Sequence, residues 1–181
     1  MGKQLTSITD SLKAFIEQQH LFFVATAGTD GKVNLSPKGM DTLKVLDGNR
    51  VIWLNLTGSG NETAAHILEQ SRMTLMFCSF DKNPMILRLY GTASFYQQGD
   101  EEWGELIRQF PNFPGARQLF DVKVEMVQTS CGFGVPRYQY EGQRDALIQW
   151  AEKKGAEGIN EYQKERNSLS LDGKPTGMKR E

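Results

Sequence analysis

Residues 55 to 66, NLTGSGNETAAH, gather hydroxyl and amide side chains around two glycines, directly after the apolar run Val51-Ile52-Trp53-Leu54 and before a segment of helical character. A strand, a tight turn and a helix start in that order leave the first helical N–H groups without intrahelical acceptors. Those donors and the helix dipole both favour a bound anion. Thr57, Ser59, Asn61 and Thr63 could add side-chain donors around a phosphate. Two familiar phosphate motifs do not apply. Gly58-Ser59-Gly60-Asn61-Glu62-Thr63 lacks the third glycine of a dinucleotide fingerprint, and no Gly-Lys-Ser/Thr of a Walker loop occurs. A purely structural role is equally concrete: Ser59-Gly60-Asn61-Glu62 fits the S-x-x-E capping box. Glu62 reads as a cap and not a catalyst, because a carboxylate beside a dianionic phosphate would repel it.

A bound phosphate calls for cations, and three basic residues sit in apolar or strand-like context: Lys38 in NLSPKG, Arg72 at the start of RMTLMFCS and Arg88 within MILRLYG. Each alone is as well explained as a solvated or salt-bridged strand residue. Other chemistry is poorly represented. Cys78 and Cys131 are far apart without a CxxC spacing, and His20 and His66 form no HExxH pattern, so neither a disulfide framework nor a metal centre is expected. Met73, Met76 and Met85 read as core side chains, not as haem ligands. No Ser-His-Asp set or pair of carboxylates stands out.

The elements that would position these residues are mostly strands. Thr9-Asp10-Ser11 offers N-caps for a short helix with Leu12, Phe15 and Ile16 on one face. Residues 21–27 and 33–36 flank an Asp30-Gly31 turn as a hairpin, and 45–46 and 51–56 flank Asp47-Gly48-Asn49 as another. Residues 72–79, 86–96 and 121–129 read as further strands, with Gly91 marking a bulge or sharp bend. Asp100 can cap a helix carrying Trp103, Leu106, Ile107 and Phe110, and 144–154 form another helix that Gly155 ends. The last residues, from Asn167 on, have little apolar surface to bury and are expected to be a mobile tail. Six or seven antiparallel strands with short helices predict a mainly β (α+β) fold, a small barrel that closes or covers its edges. With 21 Lys plus Arg against 22 Asp plus Glu, and no apolar run approaching a membrane span, neither nucleic acid nor membrane is expected as a partner. A cytoplasmic location is expected.

In order and spacing, VNLSPKG, VIWLNLTGSGNETAAHI and RMTLMFCSFDKNPMILRLYGTA resemble the pyridoxamine 5'-phosphate oxidase-like flavoproteins, and more closely their branch with Ser-Pro-Lys-Gly and Gly-Ser-Gly-Asn-Glu motifs. The resemblance implies a six-stranded antiparallel split β-barrel with short flanking helices over residues 1–135, followed by a C-terminal extension and tail over 136–181. It implies FMN held noncovalently at a homodimer interface, the ring beside Asn34, Ser36 and Lys38. The phosphate would meet the turn of Asn55, Thr57, Gly58, Ser59, Asn61 and Thr63, with Arg72 and Arg88 as further cations. The implied activity is oxidation or reduction of an unidentified small molecule, the flavin carrying the chemistry. The chain departs from the vitamin B6 oxidases themselves: Ser59-Gly60-Asn61-Glu62 replaces Ser-Arg-Lys, and the Arg-Leu-x-Pro ending is missing. Binding of a flavin, deazaflavin or haem without turnover is the alternative of another class.

Overall fold

The computed structural model describes residues 2–179. Eight strands form one antiparallel sheet: β1 Gln4–Leu5, β2 Phe22–Thr26, β3 Asn34–Lys38, β4 Leu43–Asp47, β5 Arg50–Leu56, β6 Arg72–Cys78, β7 Ile86–Tyr96 and β8 Ala116–Ser130. Their order is β3-β2-β6-β7-β8-β5-β4, with β1 added to β8. The two end strands, β3 and β4, are consecutive in the chain and are not paired with each other among the described residues. The sheet therefore curls into a barrel that is open along this seam, the split-barrel form expected. Two-residue β1, too short to show an alternation, adds a strand to the seven readable in the sequence and raises the count above six.

Residue type explains which faces are covered. On β2 the pattern FFVAT buries every second side chain. Nearly all of β5 is buried, because Val51 and Trp53 point into the barrel while Ile52 and Leu54 pack outside against Leu106, Phe110 and Leu119. A strand sandwiched in this way reads as a continuous apolar run. Inside, Trp53 stacks on Phe120 with centroids 4.5 Å apart, and Phe22 meets both Trp53 and Phe77. Gly91 marks the expected irregularity, with the β7–β8 register shifting between Tyr90 and Gly91.

Four helices flank the barrel: α1 Asp10–Glu17, α2 Glu62–Glu69, α3 Trp103–Leu106 and α4 Ala146–Arg166. Thr9 caps α1, whose Leu12 and Ile16 are buried. Three expectations need correction. The helix placed after Asp100 is one α-turn and a 3-10 turn, because Phe110 precedes Pro111 and is extended; Asp100 accepts from the Gln97 N–H instead of capping. Gly155 breaks the helical path at φ 66°, ψ 175°, but the chain resumes as helix beyond it and brings Tyr162 edge-on to Trp150 at 5.0 Å. The segment after α4 is docked, with Asn167 and Thr176 fully buried and Ser170 nearly so. Composition misled here because the segment is held by polar contacts and not by apolar ones.

Candidate functional site

Alternation on β3 turns Leu35 and Pro37 outward and Asn34, Ser36 and Lys38 toward the seam. There they join a chain of polar side chains. Asn34 Nδ2 donates to Thr63 Oγ1 (3.1 Å) and to Thr26 Oγ1 (3.5 Å), and Thr26 Oγ1 lies 3.0 Å from His66 Nδ1. Lys38 Nζ donates to Asn55 Oδ1 (3.4 Å), and Asn55 Nδ2 donates to Asn61 Oδ1 (3.4 Å). The network thus links β3 to the end of β5, the glycine turn and the first turn of α2.

In the turn, carbonyls and amides are treated differently. Gly58 O accepts from Asn167 Nδ2 (3.0 Å) and Gly60 O from Arg117 Nη1 (3.0 Å), while the same Nη1 donates to Asn167 Oδ1 (2.6 Å). Thr57 is fastened through its N–H and its hydroxyl to Gly115 O, both 2.8 Å, and its Oγ1 accepts from Gln163 Nε2 (2.7 Å). By contrast, the backbone N–H groups of Gly58 to Ala64 find no acceptor among the described residues. The turn presents donors and keeps its acceptors occupied, which suits an anion.

The charges agree. Burial, reinforced by the nearby Arg117 guanidinium, lowers the Lys38 ammonium to about 8, and its Nζ sits 5.4 Å from the centre of the Trp53 ring. Arg117 is 5% exposed, and desolvation lowers it to about 10. Neither pairs with a carboxylate among the described residues. The buried side-chain atoms left without a partner among the described residues all lie nearby in the sheet register or the turn: Trp53 Nε1, Asn61 Nδ2, Arg117 Nε, and both amide atoms of Gln118, which is opposite Asn55. Buried polar atoms are normally satisfied, so such a cluster marks a place built for something more.

Of the residues singled out in the sequence, Asn34, Lys38, Asn55, Thr57, Gly58, Asn61 and Thr63 come together here. Ser36 shares the seam-facing side of β3, and Ser59 stands exposed at the tip of the turn. Arg72 and Arg88 are not brought to the turn within this chain. Arg72 is exposed and donates to Gln70, whereas Arg88 lies on the face of β7 opposite buried Leu87 and Leu89 and donates to Ser130 Oγ (3.4 Å). The capping box does not form. Asn61, not Ser59, is the N-cap, without a side-chain cap bond, and the Glu62 carboxylate accepts from Leu171 N–H at 2.9 and 3.0 Å. Arg117, Gln118, Gln163 and Asn167 are additions. The signal for the first two was Arg-Gln directly before the buried Leu119-Phe120, which starts β8 five residues earlier than its alternation suggests. Behind Arg117 and Gln163, a cavity of about 420 Å³ separates the start of β8 from the kinked α4.

A mainly antiparallel barrel split along one seam, with a donor-lined turn at that seam, defines the split-barrel class. Residues 8–131 match the pyridoxamine 5'-phosphate oxidase family, and the chain belongs to that family. It is 36% identical to the pyridoxamine 5'-phosphate oxidase family protein ustO of Aspergillus flavus, over 93% of this chain and 75% of that protein. Among solved structures, it resembles a putative pyridoxamine 5'-phosphate oxidase of Lactobacillus delbrueckii, with TM-score 0.56 and 22% identity over 68% of this chain and 94% of the other. It also resembles HupZ of Group A Streptococcus, with TM-score 0.55 and 21% identity over 68% of this chain and 99% of the other. No helix among the described residues is long and apolar enough to cross a membrane.

Proposed function

We propose that this protein is a flavoprotein that holds FMN noncovalently at the seam, its terminal phosphate in the turn of residues 57–63, and serves as an oxidoreductase for a small molecule. One observation carries this reading: two desolvated cations without counter-ions coincide with a run of unpartnered amides and with the orphaned Asn61 Nδ2. A phosphate dianion answers all three needs, since it brings opposite charge and several acceptor oxygens to one point. The donor set fits the group also by what it withholds, because the nearest carboxylate, Glu62, is held by Leu171 N–H. When bound, FMN supplies the electron-carrying chemistry. The chain's own part is to bind and orient it. Lys38 supplies charge, the amides and Asn61 supply direction, and Asn55 couples the two by accepting from Lys38 and donating to Asn61.

The reading is tested by gentle purification, a visible spectrum and a fluorescence titration with FMN. A colourless protein that takes up no added FMN refutes it. Anaerobic reduction by a nicotinamide donor, followed by reoxidation with a panel of acceptors, then tests the oxidoreductase role; a bound flavin inert in both half-reactions assigns a binding function instead. Pyridoxine and pyridoxamine phosphates are expected to turn over poorly, since the phosphate turn and chain ending of the vitamin B6 oxidases are missing. The family reading also carries a homodimer. Support comes from edge strand β3 and its approach, where Val33 and Leu35 are 76% and 62% exposed, and light scattering at high concentration tests it.

A further inference from the structure

We propose that the C-terminal segment, acting through Asn167, forms the rear half of the phosphate site and makes the protein selective for a phosphorylated flavin. The inference rests on the FMN reading above, and it concerns residues beyond the family match, which ends at residue 131. A trans peptide unit is planar, so its N–H points opposite to its C=O. Fixing Gly58 O on Asn167 Nδ2 therefore aims the Ser59 N–H away from Asn167, and fixing Gly60 O on Arg117 Nη1 aims the Asn61 N–H away from Arg117. Asn167 sets both, because its Oδ1 also holds the Arg117 Nη1 at 2.6 Å. The side chain is itself immobilised. It is fully buried, and the Asn167 carbonyl accepts from Thr176 Oγ1 at 2.5 Å.

Two further contacts serve the same end. Gln163 Nε2 fixes the hydroxyl of Thr57 at the entrance to the turn. The Leu171 N–H draws the Glu62 carboxylate, the one group that would repel a phosphate at the start of α2. A segment that orients donors and engages a competing charge affects the phosphate end of a ligand and leaves the ring end alone. Asn167 is thus a positioning residue for the anion, beyond any part it plays in holding the C-terminus.

The test compares FMN with riboflavin, which has the same ring without the phosphate, on the full chain and on Asn167→Ala and Asn167→Asp. Asn167→Asp keeps an acceptor for Arg117 but loses the donor to Gly58 O, so it carries the test if the alanine variant fails to fold. Wild type is expected to prefer FMN. Either variant is expected to lose about tenfold or more in FMN affinity, as for one misaligned charge-assisted contact, with riboflavin affinity changed less than about twofold. Equal loss for both ligands, or an unchanged preference in both variants, overturns the positioning role. A wild type indifferent to the phosphate overturns the FMN-site reading itself, whatever the variants do.

Discussion

Lys38 and Arg117 are two like charges held close enough in the interior for the guanidinium to help depress the ammonium, and neither has a carboxylate partner among the described residues. Without an anion this arrangement costs stability, because desolvation and repulsion both oppose protonated Lys38. Replacing Lys38 with Met, which fills similar space without charge, should therefore separate folding from binding. The apoprotein is expected to gain about 1 kcal/mol, or roughly 2–4 °C in melting temperature at this chain length. FMN affinity is expected to fall about tenfold or more. Calorimetric melting and flavin titration on the same preparations check both. A variant that melts lower and binds FMN as well as wild type contradicts the role given to Lys38.

The same depressed ammonium predicts how binding depends on pH. Lys38 titrates near 8 in the free protein, below its ordinary value of 10.5. Between these values the folded protein binds fewer protons than the unfolded chain, so this group's contribution to apoprotein stability rises with pH. Its cost is complete below about 8 and is relieved above 10.5. A phosphate reverses the balance by favouring the charged form. FMN should bind with proton uptake above about pH 8 and lose affinity as pH rises through that region. Titration calorimetry in buffers of different ionisation enthalpy measures the uptake directly. No uptake at pH 8.5 to 9, with affinity flat across the range, removes Lys38 from the phosphate site.

Much of this was legible in the sequence, and the gaps have physical reasons. Strands β2, β5, β6 and β7 announce themselves by alternation or by an apolar run, and the glycine turn announces itself by its position after β5. The turn's donors Asn61 and Thr63 and the seam residues Asn34 and Lys38 could be named in advance. Arg117 could not, since it precedes the alternating part of β8, and its partner Asn167 is 50 residues further along. Ser59 and Glu62 illustrate a different limit. Their spacing satisfies a capping box, but spacing does not reveal that Leu171 N–H competes for the carboxylate. Arg72 and Arg88 have the right residue type on strand positions that do not face the turn, Arg88 by the two-residue period of β7.

Gly91 offers a test of the barrel itself. A Cβ at this position would stand 2.0 Å from the carbonyl oxygen of Lys123 on β8, an atom of the backbone that cannot rotate aside. The register shift between Tyr90 and Gly91 exists because the two strands approach so closely there. Gly91→Ala is expected to destabilise by about 3 kcal/mol or more, since either strand must move and both line the core. Denaturant unfolding measures the loss. A change within about 0.5 kcal/mol would mean that β7 and β8 do not approach as described.

The final prediction concerns what keeps the C-terminal segment on the barrel. Lys174 pairs with Asp30 and with Glu69 at 2.8 Å, Asp172 with Lys32 at 2.6 Å, and Lys179 with Asp100 at 2.5 Å. Hydrogen bonds from Lys174 and then Thr29 pull the Glu69 carboxyl below its ordinary range; Lys32 does the same to Asp172, and Lys179 with the Gln97 N–H to Asp100. Depressed carboxyls contribute fully above the ordinary carboxylate range of about 4 and lose the contribution as pH falls through their lowered values. These pairs are largely solvent-exposed, so salt should weaken them as well, the Debye length shrinking to about 3 Å at 1 M. Hydrogen exchange can follow this at the amides of Ser170, Gly173 and Thr176, whose partners are Lys174 O, Ser170 O and Ser168 O. After correction for intrinsic rates, these amides should exchange faster at 1 M salt than at low salt, and faster again near pH 3, while β7 amides stay protected. Exchange unaffected by either change would mean that buried Asn167 and Thr176 hold the segment without help from the rim charges.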